Sequence, residues 1–205
     1  NLTDEQIKKW CDTGHQAVMQ SLVEHVGGSI VIASEKGYLD VVKYLVETHD
    51  VNESGMTLKE YVNQEGKNSI FGFDRTPLGA AAAKEHFQIV QYLIEHCEAD
   101  PNIADRYGWN VLALAIQSNK KDTDIIQLLL THMTFDSINE KIMSGCWEGN
   151  TPLDWAYSNR SPIKQKIIDL IRSKGGKRRS ELLKMKMAIG QSSRKRGKRG
   201  KRFKK

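Results

Sequence analysis

Six histidines and three cysteines are the residues of this sequence whose types lend themselves most readily to chemistry. A zinc site would place two of them close together, as an i, i+4 histidine pair on one helix or as C-x-x-C. His15, His25, His49, His86, His96 and His132 contain no such pair, and no C-x-x-C occurs. His25, His49, His96 and His132 fall at the ends of helical patterns, where a donor or cation suits the carbonyl terminus. Cys11, Cys97 and Cys146 are far apart and odd in number, which favours reduced thiols over a disulfide framework. Cys11 and Cys97 sit among apolar helix positions and read as small core residues, whereas Cys146 falls in a loop. No glycine-rich loop precedes a Lys-Ser/Thr pair, and no nucleophile elbow is present. The expectation is a non-enzyme: no catalytic residue, no metal and no cofactor.

The elements that carry these residues are periodic. In 38–47, Val41, Val42, Leu45 and Val46 sit at i, i+1, i+4 and i+5, one stripe of a helix. The stripe returns as Ile89, Val90, Leu93 and Ile94. It occurs again as Val18, Met19, Leu22 and Val23, as Ile125, Ile126, Leu129 and Leu130, and as Ile167, Ile168 and Ile171. A shorter element precedes the stripe, clearest in 76–86 and 151–161, each opening Thr-Pro-Leu. Threonine there caps free backbone N–H groups, and proline presets φ without wasting a donor. Ala81 and Ala82 let a neighbouring helix approach closely. Gly14 and Gly37 stand between the two helices, where left-handed backbone suits glycine. Each helix pair has an apolar face that only a stacked neighbour can bury.

These residues resemble an ankyrin-repeat protein. The resemblance is carried by Thr76-Pro77-Leu78 with Ala81, Ala82 and His86, by the stripe that follows, by the closing Glu98-Ala99-Asp100-Pro101-Asn102, and by Thr151-Pro152-Leu153 with Ala156. It implies an all-α solenoid of helix-turn-helix units with short hairpin fingers. Five repeats are expected, at about 3–27, 28–52, 72–104, 105–133 and 147–175, with an insertion at 53–71. The repeat domain would span 1–175, and 176–205 would be a basic, disordered tail. Glu85 and Asn119 replace the turn glycine, and Asn tolerates the left-handed region better than Glu. His15 and His86 fall at the family's turn position, where the ring bonds backbone. A longer link, 133–149, precedes the last repeat.

The family resemblance also implies function: binding of another protein by finger tips and exposed first-helix positions. Carried over, the finger candidates are Phe73, Arg75, Arg106, Tyr107, Trp109, Trp147, Glu148 and Asn150. The helix candidates are Glu35, Lys36, Ala83, Lys84, Gln117, Ser118, Ser158 and Asn159. Large aromatics with a polar edge are enriched at binding hot spots, which puts Tyr107 and Trp109 first. The competing assignment is packing between neighbouring fingers. Trp10 and Trp155 lie inside first-helix patterns and read as core or inner-face residues.

The net charge of +6 hides a division. Residues 174–205 hold 15 Lys/Arg against Glu181 alone, while the body is acidic. The clusters are Lys177, Arg178 and Arg179, then Arg194, Lys195, Arg196, Lys198, Arg199, Lys201 and Arg202. They resemble a nuclear localisation signal, which would bind an import receptor. Such a run also suits nucleic-acid phosphates, or folds back on the acidic body. Residues 181–189 read as a short helix. Ser180, Ser192 and Ser193 could take phosphate, which would cut the local charge. No apolar run reaches the length of a membrane span, and no charged-then-apolar leader opens the chain. The expected setting is intracellular, nucleus or cytoplasm, with no membrane partner and a monomeric chain. Three functions follow in order: a protein-binding adaptor directed to the nucleus, a nucleic-acid or ribonucleoprotein-associated protein, and a substrate receptor of a ubiquitin ligase.

Overall fold

A computed structural model describes residues 16–26, 29–49, 54–66, 75–105, 107–118, 123–143 and 148–188. Most of the first expected repeat, including Trp10, Cys11, Gly14 and His15, lies outside the described residues, as do Asn119 and Cys146. The helices are α1 (Gln16–His25), α2 (Ile30–Lys36), α3 (Leu39–Glu47), α4 (Leu58–Asn63), α5 (Pro77–Ala83) and α6 (Phe87–His96). They continue as α7 (Val111–Ser118), α8 (Asp124–His132), α9 (Phe135–Ile138), α10 (Pro152–Ser158) and α11 (Lys164–Ser173). A last helix, α12, covers 179–188.

Two layers result. The first helices α2, α5, α7 and α10 stack in order, and the second helices α1, α3, α6, α8 and α11 stack behind them. The chain is therefore the expected all-α solenoid. Each stripe supplies the contact: Val41, Val42, Ile89, Val90, Leu93, Ile126, Leu129, Ile167 and Ile171 are all buried. Thr76 and Thr151 accept from the backbone N–H of Gly79 and Asp154, so both cap their helices with proline at the first turn. Ala81 and Ala82 have no exposed surface, which fits their small size between α2 and α7. Cys97 is buried too. Burial pushes its thiol pKa up, against a hydrogen bond with Tyr92, so it is a poor nucleophile.

Side-chain hydrogen bonds tie successive repeats together in two ladders. Along the first helices, His86 Nε2 bonds the Glu35 carbonyl at 3.1 Å, the ring position expected from the resemblance. Ser118 Oγ donates to the Ala82 carbonyl at 3.1 Å, and Asn159 Nδ2 to the Ile116 carbonyl at 2.6 Å. Each closes a carbonyl near the C-terminal end of the preceding first helix, where helices leave acceptors unpaired. At the exit of the second helices, three asparagines act alike. The Oδ1 atoms of Asn63, Asn102 and Asn139 accept from the N–H of Asp100, Thr134 and Lys177, at 2.7, 2.7 and 2.6 Å.

The asparagine ladder corrects one reading of the sequence. The insertion at 53–71 and the long link at 133–149 are partly one device. Thr57 caps α4 and Thr134 caps α9; the short helices then bury Val62 and Ile138 and deliver Asn63 and Asn139 to the ladder. Asn63 thus stands where Asn102 does in the next repeat. The real additions come afterwards: 13 positions separate Asn63 from the cap Thr76 and 12 separate Asn139 from Thr151, against 8 from Asn102 to Asn110. The fingers before α5 and α10 are therefore the long ones, with a short finger between them.

The tail boundary is corrected as well. Residues from 176 onward were expected to be a disordered tail with a short helix at 181–189; helix is present at 179–188, and residues 177–181 are bonded to the last repeat. The Thr151 hydroxyl donates to the Lys177 carbonyl at 2.7 Å. Arg178 Nε and Arg179 N–H both donate to Asp154, at 2.9 and 2.8 Å. The Arg178 guanidinium lies over the Tyr157 ring, 4.6 Å from its centre. Glu181 accepts from Arg178 N–H at 2.6 Å and pairs with Arg172 at 2.8 Å, closing the first turn of α12. Residues 189–205 lie outside the described residues.

Candidate binding groove

Finger residues Glu65, Arg75, Asp105 and Trp109 and first-helix residues Gly79 and Leu114 line one hollow, the described part of a groove between fingers and first helices. The short finger is closed by the Ala104–Asn110 bridge and a turn in which Gly108 N–H donates to the Asp105 carbonyl at 2.8 Å. Asp105 Oδ1 accepts from the N–H of both Tyr107 and Trp109, at 2.9 and 2.8 Å, which fixes where these two residues stand. The finger before α10 lies against it: Met143 N–H donates to the Tyr107 carbonyl at 2.7 Å, and Ile142 and Asn150 pair within that finger. The finger before α5 is closed by the Gly66–Arg75 bridge. A Cβ on Gly66 would stand 2.8 Å from Val31, so this strand rides directly on α2.

At the junction of finger and helix, the Trp109 ring tilts against Trp155 of α10, with centres 5.0 Å apart at 50°. Both rings are half-buried. Tilted aromatic pairs of this kind gain from the ring quadrupoles. Trp109 also lines a hollow with Glu65, Arg75, Gly79, Asp105 and Leu114. Burial pushes the Arg75 pKa down, opposed by the nearby charges of Glu35 and Asp105. Glu35 is itself buried, with Lys84 Nζ 3.9 Å from Oε1.

The structure divides the residues expected at the site. Tyr107, Trp109, Arg75 and Asn150 gather on the fingers, half-buried. Glu148, Lys84 and Gln117 are exposed. Ser118 and Asn159 hold the first-helix ladder, so their polar atoms are bonded within the fold. Of the basic candidates, Arg178 and Arg179 are engaged by the body, and Arg179 Nη1 also donates to the Glu148 carbonyl at 2.9 Å. Phe73, Arg106, Trp147, Arg194, Lys195, Arg196, Lys198, Arg199, Lys201 and Arg202 lie outside the described residues. The expectations missed Trp155 as a groove partner of Trp109, and Met143, whose side chain is 71 % exposed beside the short finger. A Trp at the fifth position from the Thr151 cap, beside the polar face of a first helix, was the available signal.

Among the described residues no three His, Cys, Asp or Glu side chains stand together as a metal site would need. What the groove offers is aromatic and apolar surface framed by hydrogen-bonding groups, the composition of a protein-binding surface. Comparison with known proteins agrees: residues 30–141 match ankyrin repeats in three copies. The chain belongs to the ankyrin-repeat family, whose arrays are protein-interaction modules. It is 34 % identical over 137 residues to a protein named Palmitoyltransferase AKR1 of Lachancea kluyveri, covering 65 % of this chain and 16 % of that protein. It is 40 % identical over 57 residues to the 26S proteasome non-ATPase regulatory subunit 10 of Dictyostelium discoideum, covering 28 % of this chain and 24 % of that one. It is 34 % identical over 92 residues to the Putative ankyrin repeat protein YahD of Escherichia coli, covering 43 % of each. The chain thus spans less than half the length of each of these relatives.

Proposed function

We propose that this chain is a non-enzymatic scaffold that holds a protein partner in the groove between its fingers and first helices. The observation that carries this reading is the half-buried Trp109–Trp155 pair, set beside Tyr107 on a finger whose backbone is fixed by Asp105. Rigid aromatic anchors of this kind lose little freedom on binding and dominate interface energetics. The partner class supported is a folded or extended protein segment with an apolar side chain to set against the indoles. Affinity capture with the full chain, compared with Tyr107→Ala, Trp109→Ala, tests it by mass spectrometry. The double variant should lose its principal partner while keeping the helical spectrum; equal capture would assign both side chains to structure.

A nuclear address in the tail is the second part of the proposal. With Arg178 and Arg179 engaged by Asp154 and Glu148, the address falls to Arg194, Lys195, Arg196, Lys198 and Arg199. Neutralising these five in the tagged full chain should leave it in the cytoplasm, whereas neutralising Lys177, Arg178 and Arg179 should not. Nuclear accumulation that survives the first change would remove this part of the proposal.

A further inference from the structure

A line of charges crosses the groove from first helix to finger. Lys84 Nζ stands 3.9 Å from Glu35 Oε1, Arg75 lies in the field of both Glu35 and Asp105, and Asp105 lies in turn beside Glu140. The signs alternate along this line until its finger end, where two carboxylates adjoin. Glu35 is 5 % exposed and neither of its carboxylate oxygens accepts a hydrogen bond, so it draws on the charge of Arg75 as well as that of Lys84. Arg75 is therefore shared, and it does not balance Asp105 and Glu140 together. Glu65 adds a further carboxylate to the hollow that Arg75, Asp105 and Trp109 line. The Glu140 side chain is half-buried and makes no hydrogen bond or ion pair among the described residues. Burial, and then the Asp105 charge, push its carboxyl pKa up.

The finger end of this line calls for one more cation. A metal ion needs several oxygen ligands in one place, and no three carboxylates stand together among the described residues. A lysine or arginine side chain makes a lighter demand. Its apolar stem can lie along the half-buried indole of Trp109 while its head reaches the carboxylates. The chain makes the same pairing once within itself: the Arg178 guanidinium lies 4.6 Å from the centre of the Tyr157 ring and donates to Asp154. The wider charge agrees, since the body before residue 174 is acidic and steers basic segments toward the array. We infer that the groove takes a basic segment of a protein partner, with one lysine or arginine side chain lying along Trp109 and its charge set between Asp105 and Glu140. This rests on the groove binding proposed above and adds the sign of the partner. An anchor that is apolar only would leave Glu140 half-buried against a like charge.

The test is selection of displayed random peptides on the full chain, followed by affinity measurement with synthetic copies near physiological salt. Groove peptides are those whose binding is lost with Trp109→Ala. They should carry lysine or arginine at one fixed position. Replacing that residue by norleucine should weaken binding about tenfold, and Glu140→Gln should weaken the unmodified peptide by a similar factor. The two changes together should cost little more than either one, because they remove the same contact. Glu140→Gln breaks no bond of the fold, so the melting midpoint should hold. Glu95→Gln makes the same change of charge on the exposed side of α6 and should leave the affinity as it was. Groove peptides without a basic residue, or strictly additive effects, would overturn the inference and leave groove binding standing. Peptides of which none depends on Trp109 would overturn both. Should Trp109→Ala fail to fold, the cycle between Glu140→Gln and norleucine decides by itself.

Discussion

Gly37 and Glu85 occupy the same turn in successive repeats, both in left-handed backbone, with φ of 82° and 63°. They solve it differently. A Cβ on Gly37 would stand 2.6 Å from the His86 ring, the same ring that reaches across to the Glu35 carbonyl. Gly37→Ala should therefore lower stability by about 2–4 kcal/mol, from left-handed strain and overpacking together. Urea titration reads the change directly. Glu85 bears the strain instead. Glu85→Gly should relieve about 1–2 kcal/mol, of which the freer unfolded chain gives back about 0.4–1 kcal/mol. The net expectation is a slightly higher urea midpoint. A lower one would mean that the Glu85 side chain makes interactions worth more than its backbone costs.

Between repeats, single side chains do work that no stripe advertises. Asn102→Ala would leave the exposed N–H of Thr134 to water, and a loss of about 0.5–1.5 kcal/mol is expected. The docked segment at 177–181 is held by carboxylates and so depends on pH. Burial pushes the Asp154 carboxyl up, but hydrogen bonds from Arg179, Arg178 and Thr151 outweigh it and hold the pKa below the usual value. Bonds from the Arg178 backbone and the Arg172 side chain do the same for Glu181. Both folded values lie below the unfolded ones. Their contribution is thus complete above the ordinary carboxylate range, about pH 4, and is lost as pH falls through the folded values. Asp154→Asn should melt below the parent at pH 7, and the gap should close below about pH 4. A gap constant with pH would show that Asp154 is not ionised in this role. The difference between what was legible and what was not follows the same line. Val41, Val42 and their counterparts repeat at a fixed period, so the helices and their stacking were open to reading. The bond from Arg179 to Asp154 joins residues 25 apart with no shared period, and charge counting alone read the segment as unfolded. The lone acid Glu181, three residues past the helix entry, was its local sign. Trp109 was legible as a groove residue by type and place; its contact with Trp155 needed the stacking of two repeats.

At the scale of the molecule, the main helix contacts among the described residues lie within a repeat or between adjacent repeats, and stability is expected to be local in the same sense. Ala81, fully buried between α2 and α7, makes a suitable probe. Ala81→Leu should cost about 1–3 kcal/mol. Amide hydrogen exchange should accelerate most in the second to fourth repeats and least at α11 and α12. Uniform acceleration would mean that the array opens only as a whole. The asparagine ladder has a consequence for how such a chain can be lengthened. Asn139 receives Lys177 N–H in the way that Asn63 and Asn102 receive the next repeat. The end of the array is therefore a socket, and the present occupant is interchangeable with another unit of matching backbone. A whole repeat spliced in after Gly175 should seat on Asn139 and Thr151, and pass an equivalent asparagine onward to the displaced segment. Modules could be added at this end without redesigning any buried surface upstream.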